Sequence, residues 1–160
     1  MGAQLLLTPT AAVTITLNGM VGPERANRDG DPRSLFDATA TWKASDHVTL
    51  GANGDWGAER GAVVEGREAR WSGGAGYARA SRGKTAVSLR AEIFDDHHGA
   101  RTGTAQRIGE LTVTPEVRLT SRLLVRADLR IDHSNHDVFE KGAAATDSQS
   151  TILVDAIYHF

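Results

Sequence analysis

Apolar and polar residues alternate along most of the chain, in eight separate segments. Successive side chains of a β-strand point to opposite faces of a sheet, so a period of two predicts strands with one apolar and one polar face. The segments span residues 13–18, 36–43, 48–56, 71–77, 87–93, 111–119, 123–132 and 152–160. No stretch shows the three- and four-residue spacing of an amphipathic helix. The pattern therefore predicts an all-β chain.

The connections between these segments alternate between long and short. Long polar stretches occupy residues 21–33, 57–70, 95–106 and 133–149, and short turns occupy residues 44–46, 81–84 and 120–122. Segments of about ten residues can cross an outer membrane as tilted strands, with short turns on the periplasmic side and long loops outside. We predict an antiparallel, up-and-down transmembrane β-barrel in the bacterial outer membrane. Residues 1–160 form its single domain, with eight strands and both termini in the periplasm.

Aromatic residues cluster at the ends of the predicted strands. Tyr and Trp prefer the membrane interface, where one end of the side chain is apolar and the other is wet. We assign seven aromatic residues to the alternate strand positions that face lipid, here called the outer parity. They would form two girdles in contact with outer-membrane lipids: Phe36, Trp56 and Trp71 at the external ends of their strands, and Trp42, Tyr77, Tyr158 and Phe160 at the periplasmic ends. A soluble eight-stranded barrel would turn its apolar face inward. The girdles favour the membrane alternative.

Composition excludes several other classes. The chain has 18 Lys and Arg residues against 20 Asp and Glu residues, a net charge of -2, so no basic surface predicts a nucleic-acid partner. It contains no cysteine, which excludes disulfides, thiol catalysis and cysteine-bound zinc. No apolar run approaches the roughly 20 residues of a membrane-spanning helix.

The polar parity of the predicted strands carries charges of both signs. A charged side chain facing lipid at mid-depth costs roughly 2 to 4 kcal/mol, so these residues are predicted to face the barrel interior. They are Arg90, Glu92, Glu110, Glu116, Arg118, Arg126, Asp128, Arg130, Asp132 and Asp155. In a closed eight-stranded barrel they would fill the interior of a structural or adhesive protein. In a larger barrel they would line a channel for small hydrophilic solutes.

Other chemistry is weakly indicated. The run Asp95-Asp96-His97-His98, and Asp132 with His133 and His136, could hold a metal ion, but solvated loop polarity explains both. The serines Ser72 and Ser88 have no histidine partner by position. We predict no metal, no cofactor and no catalytic residue. Pro115 cannot donate to a β-ladder and predicts a bulge or a break near the periplasmic rim.

Several longer motifs resemble a known family. They are Leu89-Arg-Ala-Glu-Ile-Phe-Asp-Asp96, Gly99-Ala-Arg-Thr-Gly103, Glu110-Leu-Thr-Val-Thr-Pro-Glu116, the stretch 124–135 and the closing residues 147–160. Together they resemble the C-terminal half of the OmpL-like β-barrel porin family. The resemblance implies an outer-membrane channel for small solutes. It also implies that Tyr158 and Phe160 form the terminal signal read by the outer-membrane insertion machinery.

Members of that family usually have further strands before the matched region. Residues 3–10 read like the end of a preceding strand followed by a short periplasmic turn. We therefore expect a C-terminal piece of a larger barrel that lacks N-terminal strands and the signal peptide.

Overall fold

The computed structural model describes residues 1–63 and 66–160, which form an antiparallel meander of β-strands. The strands are β1 (Gly2–Thr10), β2 (Val13–Pro23), β3 (Pro32–Lys43), β4 (Val48–Glu59), β5 (Ala69–Arg82), β6 (Thr85–Asp96), β7 (Gln106–Arg118), β8 (Leu123–Ser134), β9 (Phe139–Lys141), β10 (Ala144–Thr146) and β11 (Ser148–Tyr158). In the described ranges, no helix has the length and apolar character needed to span a membrane.

Nine of the strands form one sheet in the order β1-β2-β3-β4-β5-β6-β7-β8-β11, and β9 and β10 form a separate hairpin in the last long connection. The prediction of an all-β, antiparallel fold is confirmed, but the count of eight strands is wrong. The ninth strand is β1, which pairs with β2 from Gly2↔Met20 to Leu7↔Ile15. Its central run Leu5-Leu6-Leu7 is apolar on both faces and gives no period-two signal.

The predicted alternation of long and short connections is confirmed. Short turns occupy residues 11–12, 44–47, 83–84 and 119–122, whereas the long connections cover residues 24–31, 60–68, 97–105 and 135–147. The turn between β5 and β6 has only two residues, and Gly83 lies at its first position with φ of 60°. Glycine adopts this conformation without the steric cost that a Cβ would bring.

The sheet is not closed within this chain. In the described residues no ladder joins β1 to β11, so both are edge strands. Their apolar side chains, such as Leu6 and Val154, are mostly exposed. The structure thus does not show the closed eight-stranded barrel that the sequence left open.

The two faces of the sheet differ in an unusual way. Large apolar side chains such as Leu89, Leu129 and Ile152 are exposed on one face. Among the described residues, the largest fully buried side chains are polar: Asp96, Asp132 and Ser134. A water-soluble domain buries apolar groups and exposes charges. The opposite arrangement is typical of a membrane barrel, which has an apolar band outside and a polar interior.

The predicted irregularity at Pro115 is a break in the ladder. The pairing of β7 with β8 runs to Val113↔Leu129 and resumes at Glu116↔Arg126 in the same register. Pro115 still pairs with Val87 on β6. Only the side of β7 that faces β8 loses pairing, as expected for a residue without an amide hydrogen.

Candidate functional site

The polar face of the sheet borders an open cavity of about 890 Å³. Strands as far apart as β3 and β11 line it, through Thr39 and Thr151 respectively, so the sheet curves around this face. Directly paired residues in an antiparallel ladder share a face. By that criterion all ten charged residues predicted to point inward lie on this inner face, through partners that include Glu92↔Glu110, Glu110↔Asp132 and Arg126↔Asp155.

One wall of the cavity carries a continuous network of ion pairs. Arg90 Nη1 donates to both carboxylate oxygens of Glu110 at 2.7 Å, and Arg90 also pairs with Glu92. Arg130 Nη1 lies 3.0 Å from Glu110 Oε2, and Arg130 Nη2 donates to Asp132 Oδ1 at 2.7 Å. Such charge-assisted bonds hold both partners in fixed geometry. Three neighbouring strands, β6, β7 and β8, are thereby joined across the inner face.

The same wall continues toward the periplasmic end. Arg126 Nε donates to Asp155 Oδ2 at 2.8 Å, and Thr114 Oγ1 donates to Asp128 Oδ1 at 2.5 Å. Arg79 on β5 reaches across β6 to donate to Glu116 on β7 at 2.5 Å. The remaining predicted residue, Arg118, lies at the end of β7 with the ladder partner Leu124.

The opposite wall, formed by β2, β3 and β4, is largely neutral. It presents hydroxyl and amide side chains: Thr14, Thr16, Thr39, Thr41, Thr49 and Asn53. Its central charges are Asp37 and Asp55, which are direct cross-strand partners. Asn18 Nδ2 donates to Asp37 Oδ1 at 2.6 Å. In the described part of the chain neither carboxylate lies within ion-pair distance of an arginine or lysine, in contrast to the first wall.

Trp71 lies at the external end, or mouth, of the inner face. This side chain is 5% exposed, and its ring lies so close to Gly57 that a Cβ there would be 2.1 Å from Trp71 Cε2. The guanidinium carbons of Arg33 and Arg101 lie 5.9 Å and 5.2 Å from the ring centroid. Arg33 is held by Glu59 through Nη2, at 2.8 Å. Two arginines thus lie within cation–π distance of this one tryptophan ring.

Arg101 belongs to the connection between β6 and β7, which buried Asp96 anchors. Asp96 Oδ2 accepts hydrogen bonds from the backbone amides of Arg101 and Thr102, at 2.8 and 2.7 Å, and from the Thr102 hydroxyl at 2.9 Å. Asp96 is 0% exposed and shares the inner face with Gln106. One buried carboxylate therefore folds this external loop toward the mouth.

Two of the seven aromatic assignments are wrong. Trp71 and Tyr77 lie on the inner face, because Trp71 pairs with Gly57 and Tyr77 pairs with Gly51 and Arg90. Tyr77 donates its hydroxyl to Asn53 Oδ1 at 2.7 Å. Strand β5 has small residues on both faces, so its apolar pattern did not show which face points to the lipid. The other five are exposed: Phe36, Trp42, Trp56 and Tyr158 on the outer face, and Phe160 beyond the end of β11.

The histidine and aspartate runs of the loops are dispersed. Asp95 points to the outer face and accepts from Arg107 Nη2 at 2.7 Å, whereas Asp96 is buried on the inner side. His133 and Asp132 are likewise separated by the strand alternation, with Asp132 bonded to Arg130. Across the two described ranges, no three metal-ligating side chains come together.

Sequence reasoning missed several members of the inner face. Arg79 was not singled out. Residues 71, 77 and 79 of β5 point to the same face, so the charge of Arg79 indicates that Trp71 and Tyr77 face inward as well. Asp37 and Asp55 lie in the polar parity of two recognised strands. No local sequence signal shows that these two carboxylates are directly opposite each other, because that depends on the register.

Comparisons with known proteins agree with this architecture. The fold is similar to that of an anion-selective porin from Comamonas acidovorans, with a TM-score of 0.79 and 13% sequence identity over 99% of this chain and 48% of that chain. This chain thus spans about half the length of that porin, and at such identity the likeness concerns the fold. No curated protein sequence matches it. The model of the family described as "Putative beta-barrel porin-2, OmpL-like" matches residues 1–160, as the motifs predicted. The chain therefore belongs to the OmpL-like β-barrel porin family.

Proposed function

We propose that this chain forms part of the wall of a bacterial outer-membrane channel through which small hydrophilic solutes diffuse passively. The observation that carries the proposal is the distribution of side chains on the sheet: a network of ion pairs lies on the inner face, and apolar side chains are exposed on the outer face. In this proposal the protein catalyses no reaction. The inner-face charges that the sequence predicted serve as lining of the water-filled path.

The outer face supports a membrane environment. Charged residues of the outer parity in the nine-stranded sheet occur in the first or last two positions of their strands, as Arg70, Arg82, Asp95 and Arg107 do. The middle of this face carries apolar side chains such as Leu89 and Leu129. This distribution matches the cost of a charge facing lipid, which is large at mid-depth and small near the interface. Outer-membrane lipids are the proposed partner of this face.

The inner face supports a water-filled path. Charged groups in a dry interior are costly even when they are paired. The ion pairs of Arg79, Arg90 and Arg130 instead border a cavity whose other wall is largely neutral. The alternative of a small closed barrel requires pairing between β1 and β11, and the open sheet gives it no support. We therefore place these residues on the wall of a larger pore.

The C-terminal strand has a proposed second partner. Tyr158 and Phe160 are exposed at the end of the edge strand β11, as expected if the insertion machinery reads them before the barrel closes. We expect Phe160→Ala to lower the amount of heat-modifiable, assembled protein in outer-membrane fractions. The exposed apolar residue Ile152, on the same strand, offers a control: Ile152→Ala should leave assembly unchanged. Equal assembly of both variants would contradict this role for Phe160.

Planar-bilayer recording on the purified full-length protein tests the channel. We expect ion-sized conductance steps whose size grows with salt concentration. A protein that is correctly folded and inserted, as judged by its heat-modifiable gel mobility, but that gives no conductance would overturn the proposal. Product analysis after incubation with lipopolysaccharide and phospholipid tests the absence of catalysis.

A further inference from the structure

A second cavity, of about 540 Å³, lies at the external end of β5 on the outer side of the sheet. Arg70, Ser72, Asp95 and Trp56 border it and share the outer parity through the pairs Trp56↔Ser72 and Ser72↔Asp95. The loop residues His97 and His98 also border the cavity. Arg67, Glu68 and Trp71 also line this cavity, the rim groove, so at Trp71 it adjoins the inner face.

The donors of the rim groove are held in place. Arg70 Nε donates to Glu68 Oε1 at 2.7 Å, and in the described chain its terminal groups Nη1 and Nη2 make no hydrogen bond. The backbone amide of Arg70 donates to His98 Nδ1 at 3.2 Å. Since Nδ1 accepts, a neutral His98 carries its proton on Nε2 and keeps one donor. Arg70, through Nη1 and Nη2, and His98, through Nε2, thus offer N–H groups that make no hydrogen bond in the described residues.

A second arginine stands beside the groove. Arg107 donates through Nε and Nη2 to Asp95 Oδ2, at 3.2 and 2.7 Å. The other oxygen of Asp95 lies 3.9 Å from His97 Nδ1. Both carboxylates here, Glu68 and Asp95, are therefore already engaged by cationic or imidazole groups. The rim groove has more donors than free acceptors, which suits an anionic ligand.

The position of the groove indicates what kind of anion it meets. Trp56 is 45% exposed on the outer face and is the direct partner of Phe36, so the two rings mark the level of the external interface. Arg107 lies on the same row of ladder partners as Trp56, and Arg70 lies two residues nearer the external end of β5. Lipid head groups occupy this layer, and basic pockets of membrane proteins bind them. A flat indole face beside N–H donors also suits a sugar ring that bears phosphate.

We propose that the rim groove binds the phosphorylated sugar head group of a glycolipid in the outer leaflet. The proposal rests on the proposed function, because it assumes that the long loops of this chain lie outside an outer membrane. Arg70 and Arg107 bind the phosphate oxygens, His98 donates a further hydrogen bond, and Trp56 packs against the sugar and the first acyl carbons. The ligand sits on the lipid side of the wall and leaves the solute path free.

Native mass spectrometry of the full-length protein in detergent tests this site, with bisphosphorylated lipid A as the probe. We expect the double variant Arg70→Gln/Arg107→Gln to lower the affinity about thirtyfold, since each of the two arginines near a lipid head group contributes about 1 kcal/mol and about 1.4 kcal/mol is a factor of ten. Arg82→Gln is the matched control, because Arg82 lies on the same strand and parity at the opposite end. The pair Arg70→Lys/Arg107→Lys should recover part of the binding.

Three outcomes would overturn the assignment. They are equal binding by the double variant and the Arg82→Gln control, equal binding of dephosphorylated lipid A, and displacement of lipid A by millimolar inorganic phosphate. The last outcome would mean that the groove takes free phosphate in place of a glycolipid. Conductance of the same samples separates this proposal from the channel itself. Loss of lipid A binding with normal conductance concerns the groove alone, and lipid A binding without conductance overturns only the channel.

Discussion

At the scale of single residues, the guanidinium groups of Arg126 and Arg130 balance the carboxylates beside them. Arg126 pairs with Asp155, and Arg130 pairs with Asp132 and Glu110. If both arginines are replaced by glutamine, these carboxylates lose their counter-charge and the inner face becomes more negative. We expect the ratio of cation to anion permeability to rise roughly two- to fivefold, because charge at a narrow pore wall concentrates the oppositely charged ion. Reversal potentials in a salt gradient measure this ratio.

The opposite wall provides a reciprocal control for that measurement. Asp37 and Asp55 face the same interior without an arginine partner in the described residues. The variant Asp37→Asn/Asp55→Asn should therefore shift permeability toward anions, in the opposite direction. Selectivity that stays unchanged in both variants would show that neither wall borders the conducting path.

A glycine at the mouth leads to a separate prediction. The ring of Trp71 occupies the space where a side chain at Gly57 would begin, so Gly57→Ala has to displace the ring and disturb its contacts with Arg33 and Arg101. We expect it to lower the free energy of unfolding by about 1 to 3 kcal/mol, as overpacking typically does. Gly54→Ala is the control, because its Cβ would approach nothing nearer than 3.8 Å. Urea unfolding in detergent measures the difference, and equal stabilities would contradict the packing of Trp71.

Trp71 also shows which side-chain orientations could be predicted from the sequence and which could not. The ten charged residues were assigned to one parity because a charge has one tolerable side in a membrane strand, and in the ladder they share one face of the sheet. Trp71 and Tyr77 were misplaced, because an aromatic ring is tolerated at the lipid interface and also inside next to an arginine. On β5 the decisive residue is Arg79, whose parity Tyr77 and Trp71 share.

At the scale of elements, β7 contains a weakness that the sequence located. Pro115 breaks the pairing with β8 without shifting its register. Pro115→Val should restore one ladder hydrogen bond and raise the free energy of unfolding by about 0.5 to 1.5 kcal/mol. Hydrogen exchange at the amide of Ala127, which lies opposite residue 115, should slow in parallel. Unchanged stability together with unchanged exchange would mean that the gap is held open by something other than the missing amide.

The strands themselves were predictable where one face is apolar and the other polar. β1 escaped recognition as a full strand because Leu5, Leu6 and Leu7 are apolar on both faces, although its end and the following turn were anticipated. The hairpin of β9 and β10 also had no signal. Each of its strands has only three residues, which is too short for a period of two to be distinguished from chance.

At the scale of the whole molecule, the number of strands limits how a barrel can close. Consecutive strands of the sheet are antiparallel, so β1 and β11, the first and ninth in order, run in the same direction. They cannot pair with each other in an antiparallel ladder. Bacterial outer-membrane barrels have an even number of antiparallel strands. Closure of an all-antiparallel barrel around this sheet therefore requires an odd number of additional strands between β11 and β1.

Cross-linking with introduced cysteines tests this constraint, and the absence of native cysteine makes the products unambiguous. Leu7→Cys/Val154→Cys places thiols on the outer parity of both edge strands, at comparable distances from their periplasmic ends. Because other strands must separate the edges, we expect no intramolecular product with a short thiol cross-linker. Leu17→Cys/Ala38→Cys joins direct partners on β2 and β3 and should react efficiently. A cross-linked monomer of the first variant, seen by gel mobility, would mean that β1 and β11 are neighbours and that the chain closes on itself.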